Sequence, residues 1–516
     1  MSFINEFNIS CPDLVMTDHA VISLKQVQMN DCIARIPKSC ILSPKTTAIA
    51  NLIMDAQLEP QLALKLALMF ELITPSSPWA SYLLTLPPLV SLPHMWPKKD
   101  QALLKNSDLD PLRIHAHLDF LRQEYYQSIL PLIQSNPLVF PVDKCDFEFF
   151  LKVSALVSSR AFDVDLYHRH SMVPLADAFN HRSGMEHVHF ETDPDVCLDC
   201  GSADYCECGS LASDDENHED ITDSFDNAFA REPPSLIHSF DSIQTSFLEN
   251  ACNQDESEEF MEFRAVRECE ANQELFNTYG NHSNAVLLTR YGFCELDNPF
   301  QVVLMDSLQM YEFLQDLLPA DTWIERWDFW VRVGSEACFQ VDEMKRHQAL
   351  DESDSEVESM IDSDLDSQPS TLEDESLEGE SNEHESQDEY VSKDDEDLFY
   401  FNFDGHPSIY FIMLIRWMLI TDAAFESWKS KSTEEIVTSI DECLQSYYRA
   451  KNSTLIQAIQ MIASFFAAKR LKGYSTSLTQ DEKALELIGE NDIPKKWALI
   501  LLISEKRILK KVVMRT

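Results

Sequence analysis

A chain of 516 residues, 44% of them hydrophobic, has the material for two or three domains with sizeable cores. Its formal charge of −48 is concentrated: residues 191–259 carry 20 Asp/Glu against one Arg, and residues 351–397 carry 21 against one Lys. The rest of the chain is only mildly acidic, and the two acidic blocks disfavour nucleic acid and anionic membrane as direct partners while favouring basic ones.

Taken in order, the N-terminus MSFINEFNISCPD has neither a basic start nor an apolar core, so no secretory signal is expected. Residues 14–43 break into short β-branched runs (VISL, DCIARIP, SCILS) that predict strands of one small sheet. Residues 46–150 change to helical spacing of Leu, Ile and Met, punctuated by Pro87, Pro88 and Pro97. This predicts a helical subdomain with Trp79, Tyr82 and Trp96 as core aromatics. Another helix is expected over Phe147–Phe162. HVHFET (187–192) and FMEFRAVRE (260–268) alternate at period two and predict a hairpin, with residues 193–259 as a long acidic loop. After residue 298, strand and helix material runs to 350. The Ser-rich acidic run 351–397 reads as disordered, and residues 398–516 read as largely helical. The apolar run YFIMLIRWMLI contains Arg416 and is too short to span a bilayer.

Only ten glycines occur, the first at Gly184, so no phosphate-binding loop or dinucleotide fingerprint is available. Kinase, P-loop NTPase and Rossmann-type methyltransferase classes lose their signature. Four of the thirteen cysteines cluster as Cys197, Cys200, Cys206 and Cys208, spaced C-x2-C-x5-C-x-C. The first pair has zinc-knuckle spacing and the second is tighter than a typical finger, so a structural zinc site and free thiols in a loop both remain open. The other cysteines are scattered, which suits a reducing nuclear or cytoplasmic compartment.

ADAFNH (Ala176–His181), then NTYG (Asn277–Gly280), then Tyr291–Phe293 together resemble the SET-domain protein lysine methyltransferases of the Rubisco large-subunit methyltransferase type, which include fungal ribosomal-protein lysine methyltransferases. IPKSCILS (Ile36–Ser43), PWASYL, HMWP, SSRAF (Ser158–Phe162) and FDGHPS (Phe403–Ser408) are similar to that family's other landmarks. The resemblance implies an α+β SET fold with a threaded, pseudoknot-like core, an inserted helical subdomain and a helical C-terminal substrate-binding domain. It implies S-adenosylmethionine as cofactor, with Asn180 and His181 fixing it and Tyr279 at the junction of sulfonium and lysine amine. Tyr291 would line the lysine channel or cofactor pocket, Ser159 and Arg160 would meet the cofactor's amino-acid end, and Asp177 would belong to the substrate site. A Gly-x-Gly step usual in relatives is replaced here by Asp18, His19 and Ala20, where a Cβ alters close approach to a cofactor.

The chemistry asks for such groups on its own terms. Methyl transfer to an amine needs alignment and desolvation more than a strong base. At pH 7 only about one free lysine in a few thousand is neutral, and an apolar aromatic channel lowers that pKa. Singly, Asn180-His181 could be a turn and cap, and Tyr279-Gly280 a strand end with a buried ring. The implied function is methylation of lysine on a non-histone substrate, a basic ribosomal or other translation protein, by a monomeric enzyme. The alternative is a catalytically idle SET fold whose acidic segments escort basic proteins.

Overall fold

The structure, a computed structural model, describes residues 2–17, 20–192, 196–203, 206, 208, 259–305, 307–345, 398–449, 453–489 and 492–515. The run 351–397 expected to be disordered, most of the 193–259 insert, and Asp18 and His19 lie outside these residues. The chain divides into two compact units: Met1–Phe300 with Lys483–Leu501, and Gln301–Glu482 with Leu502–Thr516.

In the first unit the N-terminal runs form β1 (Leu14–Met16), β2 (Val21–Ser23) and β3 (Cys32–Pro37). They do not make one sheet. β1 and β2 pair with each other, whereas β3 joins strands from far along the chain. The reason lies in its alternation, which buries Ala34 and Ile36 opposite Phe263 and Met261.

The helical subdomain forms as the periodicity predicts. Pro60–Ile73 starts with proline at its first turn, where no N–H is required. Pro111–Gln123 is capped by the Asp110 carboxylate, which accepts from Leu112 N–H. Trp79, Tyr82 and Trp96 are all buried.

The helix Phe147–Arg160, capped by Asp146, ends two residues before Phe162. Ala161 and Phe162 instead open β4 (Ala161–Asp163), antiparallel to β5 (His170–Met172). The turn between them explains the early stop. Asp165 Oδ1 accepts the backbone N–H groups of Tyr167 and His168, which folds the chain back at once.

Four further strands come next: β6 (Asn180–His181), β7 (Val188–Glu191), β8 (Phe260–Ala265) and β9 (Phe276–Asn277). β7 and β8 pair antiparallel from Val188↔Ala265 to Glu191↔Glu262, the expected hairpin across the acidic insert. β8 is central in a β3-β8-β7 sheet. β6 and β9 pair in parallel, Asn180 opposite Phe276 and His181 opposite Asn277. Parallel pairing cannot be made by a hairpin, so a long crossover connection has to bring these two short strands side by side.

The second unit pairs β10 (Val303–Leu304) with β11 (Tyr400–Phe401). Its core is organised on helix Ile409–Leu419, where Phe411, Leu414 and Trp417 are fully buried. The end of that helix is closed by a buried guanidinium: Arg326 donates to the carbonyls of Trp417, Met418 and Ile420. Among the described residues no helix is long and apolar enough to cross a membrane.

Candidate functional site

The approach to the first motif is strained. Leu175, fully buried, holds φ +78° and ψ −42°, a region that a branched residue enters only under constraint. One turn spans Ala176–Ala178, and the chain then extends through Phe179 into β6. From the other side, β9 delivers Thr278 and Tyr279. The helix Asn284–Arg290, capped by Ser283, then ends at Gly292, whose φ of +81° turns the chain. That turn returns Tyr291 and Phe293 towards Tyr279.

These elements assemble one aromatic cluster. His181 stacks on Tyr279 with ring centroids 5.1 Å apart. Tyr279 lies 4.7 Å from Tyr291 and 6.3 Å from Phe293. The Tyr279 hydroxyl donates to Phe179 O at 2.7 Å, and its backbone N–H donates to His181 Nδ1 at 2.9 Å. His181 is therefore the Nε2–H tautomer when neutral, and Nε2 meets Ser183 Oγ at 2.8 Å. Burial pushes His181 down to about 4, with Glu295 opposing, so the ring is neutral at pH 7. Burial likewise drives Tyr279 well above the ordinary phenol range.

Beside this cluster is an ion pair. Arg160 Nη1 bonds Asp177 Oδ2 at 3.0 Å and Asp177 O at 2.8 Å. Burial opposes the guanidinium's charge, but Asp177 more than restores it. Burial raises Asp177, with Arg160 pulling the other way. A carboxylate and a guanidinium in this contact stay ionised together at neutral pH, since either alone would be an uncompensated charge.

The site so built has a buried floor of Phe179, His181 and Asn277, and a partly buried upper surface of Asn180, Tyr279, Tyr291 and Phe293. Polar needs below are met within the protein, while aromatic faces line the surface above. That surface suits a ligand with a flat heterocycle and a cationic centre, because aromatic faces attract cations.

Solved structures share this architecture. The SET domain of LSMT bound to lysine and AdoHcy matches 99% of this chain and 89% of its own at a TM-score of 0.53 and 16% identity. Rubisco LSMT bound to AdoMet matches over the same shares at a TM-score of 0.53 and 16% identity. The chain carries the SET-domain fold of the Rubisco methyltransferase type. Among curated proteins, it is 25% identical over 360 residues to ribosomal lysine N-methyltransferase 3 of Saccharomyces cerevisiae, covering 61% of this chain and 63% of the relative. It is 29% identical over 178 residues to N-lysine methyltransferase SETD6 of Rattus norvegicus, covering 32% of this chain and 38% of that protein. The chain thus aligns with less than two thirds of the length of these relatives. No family model matches.

Within this SET fold, Asn180, His181, Tyr279 and Tyr291 come together at β6 and β9, and Arg160 and Asp177 pair beside them. Ser159 is placed differently: its hydroxyl donates to Ala155 O, four residues back on its own helix, at 2.8 Å. Of the replaced glycine step, only Ala20 is described. The Sγ atoms of Cys197, Cys200, Cys206 and Cys208 all lie within 4.8 Å of one another, a set that could hold a metal ion.

Two carboxylates escaped the sequence reading. Glu274 Oε1 accepts from the Asn180 side chain at 2.6 Å and fixes its amide. Glu295 accepts from Ser183 N at 3.2 Å, and its backbone is bound on both sides by the buried Asn284 side chain. Glu274 stands three residues before the Asn277–Gly280 motif and Glu295 two residues after Phe293, and that nearness is the one signal that could have marked them.

Proposed function

We propose that this protein is an S-adenosylmethionine-dependent protein-lysine N-methyltransferase. The observation that carries the proposal is the parallel pairing of β6 with β9, which seats Tyr279 on His181. S-adenosylmethionine, when bound, supplies an electrophilic methyl group on a sulfonium. Asn180, its amide fixed by Glu274, and the β6–β9 backbone would hold the adenine side of that cofactor. Tyr291 and Phe293 would shield the incoming amine from water, which favours its neutral form.

Tyr279 orients rather than deprotonates. Its proton is held on Phe179 O, leaving oxygen lone pairs to face the transfer site, and its raised pKa makes it no base at neutral pH. Arg160, held by Asp177, would meet the carboxylate end of the cofactor, and Asp177 would border the substrate site.

The substrate we infer is a basic, non-histone protein of the translation machinery. Two features support it: the acidic blocks 191–259 and 351–397, and the similarity to a protein named ribosomal lysine N-methyltransferase 3. The chain would act as a monomer in the nucleus or cytoplasm, with the second unit binding substrate. The complete Asn180, His181, Tyr279 set favours an enzyme over an idle binder.

The test is transfer of tritiated methyl from cofactor to undermethylated ribosomal proteins, with the labelled peptides then sequenced. Labelled lysine is expected with the natural chain, and at most about a hundredth of that rate with Tyr279→Phe, the loss of one transition-state hydrogen bond. Absence of labelled lysine with a protein that still binds the cofactor would leave the idle-binder reading.

A further inference from the structure

At the root of the acidic insert, outside the aromatic site, four thiols converge. Cys197 and Cys200 sit on a tight turn in which Gly201 N–H donates to Cys197 O at 2.8 Å and Cys197 N–H to Ser202 O at 2.9 Å. Gly201 holds φ +78°, and a Cβ there would lie 2.8 Å from the Tyr167 ring. The turn is thus built for glycine and for close docking on that ring. Cys206 and Cys208 bring their sulfurs to the same point, all four within 4.8 Å and none in a disulfide.

The turn is anchored firmly for a surface excursion. Cys197 is fully buried. Lys45 Nζ bonds Leu198 O at 2.6 Å and lies 4.4 Å over the Tyr167 ring. Ala203 N–H donates to Glu259 Oε1 at 2.7 Å, and Glu259 in turn meets the buried Lys38, which pairs with Asp165 at 2.9 Å. The entry and exit of the insert are therefore tied together beside the thiols.

We propose that Cys197, Cys200, Cys206 and Cys208 bind one zinc ion that clips the neck of the acidic insert onto the first unit. A tetrahedral four-thiolate site at Zn–S of about 2.3 Å puts its sulfurs about 3.8 Å apart, which the observed cluster reaches with small adjustment. All-thiolate ligation selects soft ions, and four protein ligands close the shell, so the ion is structural and takes no part in methyl transfer. Lys45, beside Cys197 and Asp199, offsets part of the net negative charge of such a centre.

The full chain should be purified in thiol-containing buffer without chelator, its metals counted by mass spectrometry, and zinc release monitored on adding a mercurial. One zinc per chain is expected. Cys208→Ser, at an exposed position, should drop it below a tenth while leaving thermal unfolding of the whole chain cooperative. Hydrogen exchange over residues 196–203 should then rise at least tenfold. Cobalt reconstitution should give the visible bands of a tetrahedral thiolate site. Sub-stoichiometric zinc with all four thiols alkylated rapidly in the native protein would overturn the proposal, as would disulfides among them or iron in place of zinc. These readouts do not involve methylation, so they stand or fall apart from the proposed activity.

Discussion

The backbone N–H of Tyr279 donates to Nδ1 of His181, and the two rings stack on each other. Tyr279 thereby fixes the tautomer of His181 through its backbone and the ring's position through its side chain, across nearly a hundred residues of sequence. His181 can do this only while neutral.

This gives an acid sensitivity. The folded state holds His181 near 4 by burial, against an unfolded value near 6.5, so the unfolded chain binds the extra proton in between. The stability it contributes is fully present above pH 6.5 and is lost as pH falls towards 4, by up to about 3 kcal/mol. Urea midpoints between pH 7.5 and 4.5 should fall steeply in the natural chain and less steeply in His181→Gln. An equal slope in both would assign the effect elsewhere; the buried His94, also pushed down to about 4 by desolvation, contributes to the remainder, as do His117, His187 and His406, all lowered by burial.

A second expectation concerns the rate profile. With Tyr279 raised well above its usual range, the rising limb of rate against pH belongs to the substrate amine. Tyr279→Phe should lower the plateau and leave that limb in place. Loss of the limb in the variant would make Tyr279 a base and contradict the orienting role.

Asp177→Ala should destabilise the chain by about 2–3 kcal/mol, below the cost for a fully buried pair because the Arg160 side chain is 27% exposed. Replacing both partners, Arg160→Met with Asp177→Ala, should recover part of the loss. Denaturant titration of the double cycle measures the coupling.

Gly292→Ala is expected to cost about 1–2 kcal/mol. Its φ is +81°, and a Cβ would press at 3.3 Å on Ser91 O of the helical subdomain. Tm from calorimetry checks the cost. Cofactor affinity should fall with it, because Tyr291 and Phe293 flank this turn; unchanged affinity would detach the turn from the site.

Removing residues 351–397 deletes 21 acidic side chains and one lysine. If that charge steers basic substrates, apparent KM for a ribosomal protein should rise severalfold at low salt and converge with the natural chain at high salt. A KM that ignores both deletion and salt would exclude steering.

Much of the first unit was open to reading from the sequence because its signals are local. Alternation announced β7 and β8, helical spacing announced residues 46–150, and the motif residues stood in two short runs. The features that stayed hidden depend on partners distant in the chain or on side-chain bonds that leave no periodic signal. β3 leaves β2 for β8 because sheet pairing is decided by which faces must be buried, not by sequence order. The Phe147 helix stops at Arg160 because the Asp165 turn draws Ala161–Asp163 into a strand pair. Ser159 turns its hydroxyl onto its own helix, a choice no motif encodes. Glu274 and Glu295 matter only once β6 and β9 are adjacent.

The bond from Ala203 N–H to Glu259 Oε1 joins the two ends of the insert at a single point. Beyond Cys208, the length and composition of the insert can change without moving the register of β7 against β8 or the geometry at Tyr279. Residues 209–258 therefore occupy an interchangeable slot, where a tag, a shorter linker or a different recognition segment could be exchanged without redesigning the fold beneath it.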